Sequence, residues 1–376
     1  MSDYVLLTGG TGLLGRYLLR DLVDHDVSVA MLVRPSRRMT AEERVDAIIA
    51  TWESQLGREL PRPHVIEGDL AESDLGLDQY SRDWLVDHCD TVLHNAASLT
   101  FHATDPAGEP WRTNVQGTQN ILELCRDAGI RDVHYVSTAY VCGLRSDRVS
   151  ESDLDVGQEP GNDYERSKIA AETMIREADF ISPATIFRPS IIVGDSRTGF
   201  TTTFHGFYAA LRLAHTLLNS SAVDNNGRPT RLTLSGSERK NLVSVDWVSA
   251  AIVGVLVQPE YHGRTFHLTS PSPVTTLVMR DVLEELIDNC ENRFVGSGPL
   301  KDPSLIERLF YEQMQVYDSY WRDDPVFDAS NTTAALPELP CPEIDHELLV
   351  RLSRTAIDMG FRWRERVPSE ETPAIR

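Results

Sequence analysis

The first fifteen residues set the tightest limit on the fold. Tyr4 to Leu7 is a short apolar run that ends in Thr8-Gly9-Gly10-Thr11-Gly12. Leu13, Leu14, Tyr17, Leu18, Leu22 and Val23 then recur at helical spacing. The order is strand, glycine turn, helix, and Gly9-x-x-Gly12-x-x-Gly15 falls on the turn. Glycine there lets backbone approach a pyrophosphate, and the helix N-terminus offers N–H groups and the positive end of a dipole. The spacing differs from the G-x-G-x-x-G of many NAD enzymes. Gly9, Thr11, Gly12 and Gly15 are the first candidate cofactor residues.

The same rhythm continues. Val27–Val33, Val65–Ile66, Thr91–His94, Val133–Val136 and Ala184–Phe187 read as strands, with helical stretches clearest at Val115–Ala128 and Glu165–Ala178. Such alternation predicts an α/β fold, a doubly wound parallel sheet of Rossmann type. After Gly194 the pattern changes. Asp195–Thr203 is turn-rich, Phe204–Leu218 helical, Asn219–Arg231 a loop, and Asn241–Val257 returns to strand and helix. Thr265–Leu268 reads as a last sheet strand, Leu277–Asp288 and His346–Asp358 as helices, and Pro325–Pro342 as irregular. The expected organisation is a dinucleotide-binding domain of residues 1–194 plus 241–270. A smaller, mostly helical substrate domain takes 195–240 plus 271–376.

Composition excludes some partners. The formal charge of −21 would be repelled by a phosphate backbone, so nucleic acid is not expected. No apolar run is long enough to span a bilayer. The opening residues pass straight into a strand pattern, so no signal peptide is expected and a cytoplasmic setting is. The five cysteines are scattered without a C-x-x-C pair, which predicts reduced, mostly buried thiols and no metal site.

Further motifs cluster at strand ends, where ligands bind in such sheets. The second strand ends in Arg34-Pro35-Ser36-Arg37-Arg38 without an acid. Arginine forks hydrogen bonds onto a 2′-phosphate, which points to NADPH; a solvated basic patch is the alternative. Asp69 of Gly68-Asp69-Leu70 could accept from an adenine amino group or cap a helix. Asn95, Ala96 and Ala97 follow the fourth strand, the alanines permitting close approach. Tyr164 and Lys168 stand at i and i+4, so phenol and ammonium share one helix face. The ammonium is expected to favour phenolate and to hold a nicotinamide ribose. Thr138 is the candidate donor to a substrate carbonyl. Ser137 should face the other way, and Tyr140 should act as packing or substrate wall.

Together these residues resemble the extended short-chain dehydrogenase/reductase superfamily. The matching stretches are TGGTGLLG (8–15), GDL (68–70), HNAA (94–97), TNVQGT (113–118), VSTAYVCG (136–143), YERSK (164–168), FRPSIIVG (187–194) and VSVDWV (243–248). The resemblance implies a Thr138–Tyr164–Lys168 triad, pyrophosphate contacts from Leu13 and Leu14, and Pro189 and Ile191 beside the nicotinamide. LVRPSRR followed by AEER, GDLAESDLGL and HYVSTAYV look most like the thioester-reductase and fatty-acyl-CoA-reductase branch, which implies Arg34 and Arg44 at the 2′-phosphate. That branch reduces an acyl thioester with NADPH to an aldehyde, sometimes onward to an alcohol. The acyl group is then expected in trans, on coenzyme A or a carrier protein, with Arg145, Arg148, Arg239 and Lys240 as candidate docking residues. A ketone or aldehyde reductase or a sugar-nucleotide epimerase or dehydratase is the alternative within the superfamily. A non-catalytic NADP sensor is the alternative outside enzymology. The apolar, aromatic stretch Phe204–Leu218 favours a lipid-like or aromatic substrate, or is simply domain packing.

Overall fold

The computed structural model describes residues 4–218, 228–288 and 290–363. In chain order the first half runs β1 (Tyr4–Thr8), α1 (Leu13–Asp24), β2 (Ser28–Val33), α2 (Ala41–Leu56), β3 (His64–Glu67), α3 (Gln79–His88), β4 (Cys89–His94), α4 (Gly117–Ala128), β5 (Asp132–Val136), α5 (Asp163–Glu177) and β6 (Thr185–Pro189). The second half adds β7 (Ile191–Val193), α6 (Phe207–Leu218), β8 (Thr230–Leu232), β9 (Leu242–Ser244), α7 (Val245–Leu256), β10 (Thr265–Leu268), α8 (Thr276–Leu286), β11 (Asn292–Phe294), α9 (Leu305–Met314) and α10 (His346–Asp358).

Seven strands form one parallel sheet in the order β10-β6-β5-β4-β1-β2-β3. Its strands are mostly apolar because helices cover both faces, with His94, His134, Arg188 and His267 among the buried polar exceptions. One apolar core joins α1, α2 and α7 to the sheet, and another joins α3, α4 and α5 to the opposite face. Strand order reverses between β1 and β4, which opens a crevice at their carboxyl ends. A buried relay ties that point together. Thr8 Oγ1 lies 2.8 Å from His94 Nδ1 and accepts from the amides of Asn95 and Ala96. His94 Nε2 reaches Thr118 Oγ1 at 3.0 Å, and burial pushes the imidazole pKa down to about 3, so the ring stays neutral.

Beyond β6 the chain builds a third apolar cluster, joining Phe207, Tyr208 and Leu211 to Val282, Leu349 and Leu352 across a long sequence gap. Two stretches differ from the sequence expectation. Of the expected loop 219–231, residues 219–227 lie outside the described residues, whereas Thr230–Leu232 is a strand paired with Asn292–Phe294. Three residues carry too little periodicity to be read as a strand. The segment expected to be irregular contains the short strand Val326–Phe327, paired with Arg148–Val149, and the helix Ser330–Ala335. It runs back along the large sheet. Thr332 Oγ1 donates to the His267 carbonyl, and Ala335 and Leu336 join the core of α1 and α7. Among the described residues, no helix is long and apolar enough to cross a membrane.

Candidate active site

The glycine turn is shaped for close contact. Gly9 has φ +69°, and a Cβ there would lie 2.7 Å from the Ala96 backbone. A Cβ on Gly15 would lie 2.1 Å from the Gly9 carbonyl oxygen, so this glycine seats α1 on the turn and does not line the cavity. Gly12 is the N-cap of α1, without a side-chain cap and with no acid in the first turn. That leaves a helix N-terminus open to an anion. Thr11, Gly12, Leu13 and Leu14 border the cavity there, with Asn95, Ala96 and Ala97 on its other side.

Arg34 and Arg44 meet at the same rim. Arg44 Nη1 donates to the Arg34 carbonyl at 2.7 Å, and Arg34 Nη1 lies 3.5 Å from Asp69 Oδ2. Arg34 is 64% exposed, so its guanidinium can turn toward a ligand. Asp69 also accepts from the Ala71 amide at 3.0 Å, so it holds its own turn as well as bordering the cavity beside Leu70. Replacing both arginines by alanine is expected to weaken NADPH binding about 10–100-fold per charged hydrogen bond lost, and NADH binding little. Titration of the two cofactors against the double variant checks this. Equal losses for both would remove the 2′-phosphate role.

The catalytic candidates come together at the ends of β5 and α5. Asn162 caps α5 by accepting from the Glu165 amide, which places Tyr164 in the first turn and Lys168 one turn later. Lys168 Nζ donates to the Val136 carbonyl at 2.7 Å and sits 4.2 Å over the Tyr135 ring. Thr138 follows β5, with its hydroxyl beside the Tyr164 phenol and donating to the Pro189 carbonyl at 3.5 Å. Thr138 Oγ1 also accepts from the Tyr140 amide at 3.2 Å. Ser137 points away, donating to Glu172 Oε2 at 2.7 Å. Tyr140 is buried and donates to Asp324, so it is wall and not acid.

The electrostatics differ from expectation. The Tyr164 phenol is held well above the ordinary tyrosine range, chiefly by burial, with the Thr138 hydroxyl opposing this. Burial also pushes the Lys168 ammonium down to about 7, against the pull of Glu172. Lys168 does not offset the desolvation of the phenol, because its own charge is disfavoured in the same enclosure. Tyr164 is therefore a protonated donor in this state.

Asn114 was quoted in a motif without a role. It sits in the π-helical turn Arg112–Gln116 before α4, a distortion frequent at functional sites. Its amide donates to the Ser98 carbonyl and to Ser167 Oγ, and Ser167 donates to the Tyr164 carbonyl. It thereby fixes the start of the catalytic helix against the loop after β4. A π turn leaves no mark in apolar spacing.

One cavity of about 750 Å³ runs from the arginine rim past Pro189 and Ile191 into an apolar chamber. Leu232, Phe294, Phe310, Met314 and Trp321 line its far end. Phe101 stands edge-on to Tyr164 at 5.9 Å, Tyr317 at 5.3 Å and Tyr320 at 5.7 Å, so the phenol opens onto an aromatic collar. Phe207, from the apolar stretch Phe204–Leu218, lines the cavity and also packs in the third apolar cluster, so domain packing accounts for part of that stretch.

Each of the four expected docking cations has an acidic partner. Arg145 pairs with Asp147 and Asp153, Arg148 with Asp328, and Arg239 with Asp323. Lys240 is buried at 2.8 Å from Asp324. Acidic neighbours, abundant in this chain, neutralise each cation.

A family profile described as male sterility protein, an NAD-binding family, matches residues 7–252. The chain belongs to this family. It is an NAD(P)-dependent oxidoreductase of the extended short-chain dehydrogenase/reductase type. This family member is 30% identical over 286 residues to a nonribosomal peptide synthetase of Aspergillus flavus, covering 72% of this chain and 26% of that protein. It is 32% identical over 212 residues to a carboxylic acid reductase of Mycobacterium marinum, covering 51% and 18%. The terminal R domain of the myxalamid PKS-NRPS pathway superposes with a TM-score of 0.76 at 27% identity, covering 96% of this chain and 92% of that one. A UDP-glucuronic acid 4-epimerase of Bacillus cereus, 19% identical with a TM-score of 0.64, shares the fold. The chain thus spans about a quarter of the length of the Aspergillus flavus relative.

Proposed function

We propose that this protein reduces an acyl thioester to an aldehyde with NADPH, the acyl group arriving on a pantetheine arm of a carrier protein or of coenzyme A. The observation that carries the reading is the single cavity that joins a dinucleotide groove to an apolar chamber, with Thr138 and Tyr164 at the junction. Leu232, Phe294, Phe310, Met314 and Trp321 make the chamber mostly apolar, with Arg280 beside Phe294 as a polar neighbour, which favours an acyl chain over a sugar. Likeness to the myxalamid R domain extends over that chamber as well as the sheet.

Gly9, Gly12, Leu13 and Leu14 would hold the pyrophosphate, Arg34 and Arg44 the 2′-phosphate, and Lys168 the nicotinamide ribose. NADPH, when bound, supplies the hydride. Thr138 and Tyr164 donate to the thioester oxygen and stabilise the charge that develops on it. Tyr164, kept protonated by burial, gives its proton to that oxygen. The resulting hemithioacetal then collapses: its C–S bond breaks, its hydroxyl proton returns to the Tyr164 phenolate, and the thiolate leaves and takes a proton from solvent, giving aldehyde and thiol. Phe101 and Tyr320 screen the phenol from water. A second pass on the aldehyde would use the same donors and give an alcohol.

The test is NADPH consumption with pantetheine and coenzyme A thioesters, products identified by mass spectrometry. Stoichiometric thiol and aldehyde support the proposal. Turnover of aldehydes or ketones with every thioester inert would move the function to carbonyl reduction.

The titration of Lys168 carries its own prediction. A pKa near 7 leaves this amine largely neutral at pH 8. An anionic cofactor beside it favours the ammonium. NADPH binding at pH 8 should therefore take up protons, read by calorimetry in two buffers of different ionisation heat. The Lys168→Met variant should lose the uptake, and an unchanged uptake in it would assign the proton elsewhere.

A further inference from the structure

At the amino-terminal end of the large sheet, away from the cavity, three side chains converge. Asp132 and His134 stand two residues apart at the start of β5 and so share a face. His262 follows the turn Pro259–Tyr261 on the connection into β10. Their ligand-capable atoms all lie within 4.8 Å of one another. His134 Nε2 is 3.3 Å and His262 Nδ1 is 3.4 Å from the same oxygen, Asp132 Oδ2. The two imidazole rings meet edge to face, with centroids 4.5 Å apart.

The arrangement is not explained by hydrogen bonding. His134 is fully buried, yet neither of its nitrogens has a hydrogen-bond partner beyond the 3.3 Å approach to Asp132. Leaving a buried polar group so weakly satisfied is destabilising. The separations match a different geometry. With metal–ligand bonds of ~2.0–2.1 Å, the edges of a tetrahedron are roughly 3.3–3.4 Å. His262 is also oriented from outside: its Nε2 donates to the Leu256 carbonyl at 3.0 Å, which turns the Nδ1 lone pair toward the carboxylate. Metal-bound imidazoles are characteristically fixed by such a partner.

We propose that Asp132, His134 and His262 form a binding site for a divalent transition metal of the zinc class, with a fourth position on the solvent side, where Asp132 and His262 are partly exposed. The ion would join β5 to the connection entering β10, across the intervening β6. The role is structural, because Thr138 lies at the opposite end of β5, roughly 15–20 Å away at 3.3 Å per residue. The absence of paired cysteines argued against a metal in the sequence. A single Asp-x-His with its third ligand far downstream forms no readable motif.

The test uses untagged protein stripped with chelator and reloaded with Zn²⁺ or Co²⁺. One ion per chain, a tetrahedral visible spectrum for the cobalt form, and a higher Tm with zinc are expected. His262→Asn and Asp132→Asn, both at partly exposed positions, should weaken binding by more than the ~10–100-fold that follows loss of a mere outer partner. Both variants should keep wild-type NADPH turnover. Substoichiometric metal, a cobalt spectrum without tetrahedral bands, or equal binding by wild type and both variants would overturn the site.

Discussion

Tyr164→Phe is expected to lower kcat by about 10²–10⁴ and to leave NADPH affinity unchanged. The variant keeps the ring that packs edge-on against Phe101 and removes the one group placed to protonate the acyl oxygen. Thr138→Val, which removes the hydroxyl beside this phenol, should cost about 10²–10³ in kcat by the measure of a lost oxyanion donor. The double variant should fall short of the product of the two losses, because both act on one oxygen. Full turnover by Tyr164→Phe would sink the catalytic assignment. Full biological activity without turnover would favour the sensor reading.

The largest stability effect is expected at Glu172. This carboxylate and Arg188 have no exposed side-chain surface and pair at 2.6 Å, with Ser137 Oγ donating to the same carboxylate. Burial alone would raise its pKa, yet Arg188 and Arg176 hold it below the usual glutamate range. Glu172→Ala strands a guanidinium between α5 and the sheet and should cost about 3–5 kcal/mol. That is a large share of the roughly 5–15 kcal/mol of a typical domain. Replacing both partners by apolar residues of similar volume should recover most of it. Urea unfolding at pH 7 reads both variants, and a loss below about 1 kcal/mol would show the pair to be replaceable by water. The sign with pH follows from the depressed carboxylate. Its stabilisation is complete above the unfolded glutamate value and is lost as pH falls through the folded one.

Much of the sheet was legible because its strands are buried on both faces and read as apolar runs between turns. Thr265–Leu268 has the expected limits, and the other expected sheet strands begin or end within two residues of theirs. Helix α2 was missed although Thr40 and Glu43 form a capping box at its start. Its apolar stripe, Val45, Ile48, Ile49 and Trp52, is interrupted by charged neighbours that blur its period. At the site, the expected cofactor and catalytic residues converge on one cavity, apart from Gly15, whose task is packing. What could not be read was the shift of Tyr164 and Lys168 by burial, since enclosure is a property of the folded chain. The chamber was equally hidden. Phe101, Phe294 and Trp321 are remote in sequence and meet only through tertiary packing.

The path of the chain around β9, β10 and the stretch 326–341 has a consequence for inheritance. The polypeptide leaves the large sheet after β6, returns with α7 and β10, departs again, and comes back to lay Ala335 and Leu336 on the core beside α1 before forming α10. Cutting at any one boundary removes a piece of each half. The region proposed to contact the acyl group therefore cannot be traded between relatives as a cassette at one junction. Divergence in substrate choice must proceed by substitutions and loop insertions inside a chain that stays continuous. An engineer seeking a new acyl preference faces the same constraint and should graft side chains into the chamber in place of exchanging the C-terminal half.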